Sequence, residues 1–262
     1  MDLGRFETSL DVRDIEKSLA FYKALGFRHT DGGVDIRTIG LRKGDCRLSL
    51  FQGHLQPART QLIFWQGQVL AIARDLIGKG LKFQEGDPRT DEKGGAAAML
   101  IDPDGHPIFF ITMPVNYVND PKYAHKSPPY RPRVLKPDMR LGWYELALNV
   151  DDIDRSLAFY GKLGFERLDD GRATPGIAVL RSGDCRIGLY QGHLDPPKPQ
   201  MVFWQGEIEA ACRDAAAKGL SLEAGPTRTG DGAVTARLRD PDDNVLFFIN
   251  KPGVVRGEPH GR

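Results

Sequence analysis

The feature that most constrains this chain is that it is written twice. VRDIEKSLAFYKALGF (residues 12–27) returns as VDDIDRSLAFYGKLGF (150–165), and LRKGDCRLSLFQGHL (41–55) returns as LRSGDCRIGLYQGHL (180–194). QLIFWQG (61–67) is matched by QMVFWQG (200–206), and DPDGHPIFFI (102–111) by DPDDNVLFFI (240–249). The offset stays at 138–139 residues, too long for a solenoid unit and suited to a duplicated domain. The 262 residues therefore divide into a first domain at 1–114, a Pro-rich linker at 115–142, a second domain at 143–252 and a flexible tail at 253–262. The linker reading rests on prolines and the loss of apolar periodicity before Trp143.

Each copy also divides in two. FETSLDV (6–12) and YELALNV (144–150) read as strands. Residues 13–25 place Ile15, Leu19, Tyr22 and Leu25 on one helical face, with Asp14 as its cap. Two or three strands follow, at roughly 34–42 and 46–52, with Lys43-Gly44-Asp45 as a hairpin turn. A second pass opens with a strand at 61–66 and a helix at 69–78 carrying Val69, Ile72, Ala73 and Leu76 inward. It closes with strands at 95–101 and 107–112 joined by Asp102-Pro103-Asp104-Gly105, a turn in which proline presets φ and glycine tolerates positive φ. The order is βαβββ twice per copy, four units in all, an α+β chain with mixed sheets.

That order, V-x-D-I-x-x-S-L-A-F-Y-x-x-L-G-F in both copies, and the DPDG or DPDD turn before an apolar strand resemble the vicinal oxygen chelate superfamily. Its members include glyoxalase I, extradiol dioxygenases, fosfomycin-resistance enzymes and bleomycin-binding proteins. The resemblance implies that paired βαβββ units curl their sheets into cups. It also implies up to four inward metal-ligand positions in metal-dependent members. Carried over one at a time, these land on Glu7, Ser49, Gln61 and Phe109 in the first copy, and on Glu145, Gly188, Gln200 and Phe247 in the second. Phenylalanine stands where the family pattern DPDGxxIE has its carboxylate. One carboxylate and one neutral amide are a poor set for a divalent ion, so the expectation is no metal and no cofactor.

Alternation along the strands then lines the cups. With Glu7 inward, Ser9 and Asp11 share its face, while Thr8, Leu10 and Val12 point to the helices. Arg47, Ser49 and Phe51, then Gln61, Ile63 and Trp65, then Phe109 and Ile111 complete the first lining. Glu145, Ala147, Asn149, Arg186, Gly188, Tyr190, Gln200, Val202, Trp204, Phe247 and Ile249 form the second. Apolar walls with a few orienting polar groups suit a planar or cyclic organic ligand. Glu7, Arg47, Gln61, Trp65, Phe109, Glu145, Arg186, Tyr190, Gln200, Trp204 and Phe247 are the candidate ligand contacts, and Glu7 and Glu145 the candidate catalytic bases. A structural alternative stands beside this, in which the aromatic side chains plug the cups and Glu7 pairs with Arg47.

Composition narrows the rest. Thirty-six Lys and Arg balance 35 Asp and Glu, giving +1 overall, which argues against nucleic acid or an anionic membrane surface as partner. No apolar run has membrane-spanning length, the first residues are not a secretory signal, and three cysteines show no zinc spacing. The expectation is a cytoplasmic protein that binds a small molecule, with homodimer formation left open. Whether the chain is a binder, a lyase, isomerase or ring-cleaving dioxygenase, or a scaffold with filled cups also stays open. His54 and His193 in the QGHL segments are read as turn residues hydrogen-bonded to backbone, the alternative being ligand contacts or proton carriers at the cup rim.

Overall fold

The computed structural model describes residues 2–113, 135–168 and 174–254. Most of the expected linker and the tail beyond Val254 lie outside them. The first unit runs β1 (Arg5–Asp11), α1 (Ile15–Ala24), β2 (Arg28–Gly33), β3 (Thr38–Lys43) and β4 (Cys46–Phe51). The second runs β5 (Gln61–Trp65), α2 (Val69–Gly78), β6 (Arg89–Thr90), β7 (Ala96–Ile101) and β8 (Pro107–Thr112). The second domain repeats this with β9 (Gly142–Asn149), α3 (Ile153–Lys162), β10 (Glu166–Arg167), β11 (Ile177–Ser182) and β12 (Cys185–Tyr190). Its other unit is β13 (Gln200–Gln205), α4 (Ile208–Ala217), β14 (Leu222–Arg228), β15 (Val234–Arg239) and β16 (Val245–Asn250).

Helix starts follow the expected chemistry. Asp14 and Asp152 are extended N-caps that accept from the backbone N–H of Lys17 and Arg155, satisfying a donor that each helix start would otherwise leave open. The crossover each helix makes leaves β1 parallel to β4 and β5 parallel to β8, while β1 and β5 pair antiparallel and join the two units. The first sheet is ordered β2-β3-β4-β1-β5-β8-β7-β6 and the second β10-β11-β12-β9-β13-β16-β15-β14. The third strand, left open in the sequence reading, is β2. Its sequence RHTDGG is polar and exposed on an edge, so it lacks the apolar alternation that marks a strand in sequence.

The two faces of each sheet do different things. Phe6, Leu10, Val12, Leu48, Leu50, Phe64 and Phe110 share one continuous core with Tyr144, Leu146, Leu148, Ile187, Phe203 and Phe248 of the other domain. The opposite faces form two small separate clusters, one around Ile63 and Trp65 and one around Trp143, Tyr190 and Trp204. Those are the cup faces, and the expected inward and outward parity of β1 holds. Leu141, at the end of the expected linker, is buried in the shared core, and Val254, inside the expected tail, packs on the second cup's cluster.

The domains dock through the repeated motifs, reciprocally. Tyr22 of α1 donates to Asp240 in the turn before β16 at 2.8 Å, and Tyr160 of α3 donates to Asp102 in the turn before β8 at 2.8 Å. Ser18 and Ser156 donate to Asp242 and Asp104 in the same two turns. The hairpin turns reciprocate as well: Asp45 accepts the Tyr144 N–H, and Asp184 accepts that of Phe6. This is the self-complementary pattern of an isologous interface, built within one chain. Cys46 and Cys185 lie fully buried here, where burial pushes their thiols well up, so they are packing groups.

Candidate functional site

In the first cup, Glu7, Ser9 and Gln61 are almost completely buried on adjacent strands, with Ser9 in register with both Ser49 and Gln61. Ser49 donates to Glu7 Oε2, and Arg5 Nη2 lies 2.7 Å from Glu7 Oε1. The Glu7–Arg47 pair of the structural alternative is therefore replaced by Glu7–Arg5. Arg47 turns to Asp184 of the other domain and to the Phe6 carbonyl, because its guanidinium lies at the domain joint beside a buried carboxylate. Arg5 stands two residues before Glu7, on the same face by alternation. The walls are Ile63 and Trp65, with Phe51, Phe109, Ile111 and Met113 only partly buried.

The second cup has the same frame and different contents. Trp143 stands in Arg5's place and stacks on Trp204, with ring centres 5.7 Å apart and planes 20° from parallel. The Arg186 guanidinium lies 3.9 Å above the Trp143 ring, a cation–π contact, and near enough to Asp45 to favour that carboxylate's charged form. Glu145 accepts a hydrogen bond from Tyr190 at 2.6 Å. The pair explains a two-site change between copies. Gly188 removes the serine hydroxyl found at Ser49, and Tyr190 replaces Phe51 and returns a hydroxyl to the carboxylate. Only glycine allows this, since a Cβ at Gly188 would stand 2.3 Å from Glu145 Oε1 and 2.4 Å from the Tyr190 ring.

Gln61 and Gln200 give their amide nitrogens to the carbonyls of Pro57 and Pro196. Phe109 and Phe247 sit on the last strand of each domain, and the Arg237 guanidinium is 5.8 Å from the Phe247 ring. The four positions that the resemblance marks as metal ligands are thus brought together in each cup, yet carry one carboxylate, already held by a hydroxyl, and one amide. Among the described residues no three His, Cys, Asp or Glu side chains gather as a metal-binding group. The residues present do not fit a metal. Ala147, Val202, Phe247 and Ile249 line the second cup as expected. His54 is exposed, and exposed His193 has its Nε2 on the Pro175 carbonyl. An open surface hollow of about 470 Å³ by Gln56, Arg59 and Ile101 is lined by none of the cup side chains.

With this geometry the comparisons agree. The Glyoxalase/Bleomycin resistance protein/Dioxygenase superfamily matches residues 6–110 and 140–248. The chain belongs to that superfamily. Among solved structures of the same fold is an E323L mutant of homoprotocatechuate 2,3-dioxygenase from Brevibacterium fuscum, at 20% identity and TM-score 0.61, covering 99% of this chain and 74% of that one. The Arthrobacter globiformis homoprotocatechuate 2,3-dioxygenase follows at 21% identity and TM-score 0.58, covering 99% and 82%. The B. fuscum enzyme in complex with 3,4-dihydroxyphenylacetate aligns at 22% identity and TM-score 0.60, covering 100% and 84%. The search of curated proteins found no match. Superfamily membership fixes the scaffold and leaves the chemistry to the side chains, and no described helix is long and apolar enough to cross a membrane.

Sequence reasoning missed Arg5, Trp143, Met113 and Val254 at the cups. Counting two residues back from Glu7 and Glu145 would have found the first two.

Proposed function

We propose that this protein binds a small planar organic molecule in its second cup, without a metal centre. The observation that carries the reading is the Trp143–Trp204 stack beside the Glu145–Tyr190 pair. The stacked indoles give an apolar wall, and a buried carboxylate accepts a hydrogen bond from a ligand hydroxyl or N–H. The partly buried Phe247, Ile249, Ile177 and Leu194 supply the rim. The three buried cysteines are free, which suits a reducing compartment such as the cytoplasm.

The solved ring-cleaving dioxygenases of this fold, one of them holding 3,4-dihydroxyphenylacetate, support an aromatic ligand class. Their chemistry does not carry over, because Phe247 and Phe109 replace a ligand position with hydrocarbon. The test is 2-naphthol titration followed by thermal shift and elemental analysis of untagged protein. The expected result is saturable stabilisation, lost in Trp204→Ala and weakened about tenfold in Glu145→Gln. Equal binding by both variants, or a stoichiometric transition metal, would overturn the reading.

A further inference from the structure

The two cups share a frame but differ in what their polar atoms leave unmet. On the floor of the first cup the Ser9 hydroxyl is fully buried and has no hydrogen-bond partner among the described residues. Arg5 Nε, on the same strand face, is also buried without one, although Nη2 of that guanidinium is held at Glu7. In the second copy these positions are Ala147 and Trp143, so this hydroxyl and this guanidinium belong to the first cup alone. A buried donor without an acceptor is a cost that a ligand oxygen removes.

We propose that the first cup is a second binding site, selective for an uncharged aromatic molecule bearing a carbonyl oxygen. Its hydroxyl and guanidinium donors ask for an acceptor, and the equivalent positions of the second cup carry neither group. Its walls, Trp65, Phe51 and Phe109, take a ring. Charge decides against an anion: Arg5 is already neutralised by Glu7, and a second carboxylate would sit beside the first without a cation of its own. The inference concerns the other cup and stands or falls separately from the reading of the second.

The chain has three tryptophans, Trp65 in the first cup and Trp143 and Trp204 in the second. The indole N–H resonances of ¹⁵N-labelled full-length protein therefore report each cup separately. Acetophenone is expected to move the Trp65 signal saturably. Ethylbenzene, which lacks the oxygen, and benzoate, which carries a charge, should each bind about tenfold more weakly or worse. Ser9→Ala should weaken acetophenone about tenfold and leave ethylbenzene unchanged. This variant is expected to fold because alanine occupies the equivalent site, Ala147, in a packed copy of the same strand. Arg5→Met is the second variant, with the same expected selectivity loss. Acetophenone that moves only Trp143 and Trp204, or no signal, would overturn the proposal. So would ethylbenzene or benzoate equal to acetophenone, or undiminished acetophenone binding by Ser9→Ala. Failure of 2-naphthol at Trp143 and Trp204 would instead count against the second cup alone.

Discussion

The two tyrosine latches between the domains look equivalent and should not be worth the same. Tyr22 donates to Asp240 Oδ2, and the Asn244 side chain also donates to that oxygen at 2.9 Å. Tyr160 donates to Asp102 Oδ2, but the first copy has His106 where the second has Asn244. His106 turns its ring away to the Asn149 carbonyl at 2.8 Å. The Asp104 and His106 N–H groups both serve the other oxygen, Oδ1. Among the described residues Tyr160 is thus the sole donor to Asp102 Oδ2. Tyr160→Phe strands a buried carboxylate oxygen and should cost about 1.5–3 kcal/mol, the range for a bond to a charged group. Tyr22→Phe leaves Asn244 in place and should cost about 0.5–1.5 kcal/mol. Urea unfolding read by circular dichroism and by tryptophan fluorescence measures both losses, and coincident transitions are expected because the domains share a core. Asn244→Ala should raise the cost of Tyr22→Phe to that of Tyr160→Phe. Equal losses in the two single variants, or a larger one at Tyr22, would refute the reasoning.

Three other outcomes are expected. Burial raises the Asp45 carboxyl from its ordinary 3.8 to about 6, with the Tyr144 N–H and Arg186 opposing. Folding therefore favours its protonated form, and its stabilising contribution is full below 3.8 and is lost as pH rises through 6. The span is about 3 kcal/mol, so Tm should rise as pH falls from 7 to 5, and Asp45→Asn should flatten that slope; an unchanged slope sinks the assignment. Gly188→Ser should destabilise by about 1–3 kcal/mol through the clash at Glu145 and Tyr190, and adding Tyr190→Phe should recover most of it by recreating the first cup's arrangement. Thermal melts that show no recovery would disprove the exchange of hydroxyls. Arg47→Met removes the partner of buried Asp184 and should cost about 3 kcal/mol, with Arg47→Met/Asp184→Asn costing less; a double variant no better than the single would count against that ion pair.

The sequence carried the fold well because duplication supplied two readings of each element. The parity of β1 is visible from Leu10 and Val12 on one side and Glu7 and Ser9 on the other, and the first cap from Asp14. What stayed hidden has a physical reason in each case. β2 is an exposed edge strand with no buried face to write a pattern. The partners of Tyr22 and Arg47 lie more than a hundred residues away, at positions only docking brings close. The Glu7–Arg47 pair of the structural alternative does not form: Arg47 faces the right way by alternation, yet the carboxylate of Asp184 reaches it across the joint.

The reciprocal joint has a consequence for how the two halves can change. Ser18, Tyr22, Asp102 and Asp104 have identical counterparts in Ser156, Tyr160, Asp240 and Asp242, each bonding across to the other half. A substitution at any of them must be answered in the opposite half, so neither copy can drift there alone. The cup positions that differ between the copies make none of these four bonds. Arg5 against Trp143, Ser9 against Ala147, and Ser49 with Phe51 against Gly188 with Tyr190 are where the halves have parted. One scaffold thus carries two cups whose linings have varied separately, and an engineer could re-specify either lining at these positions while leaving the other as it is.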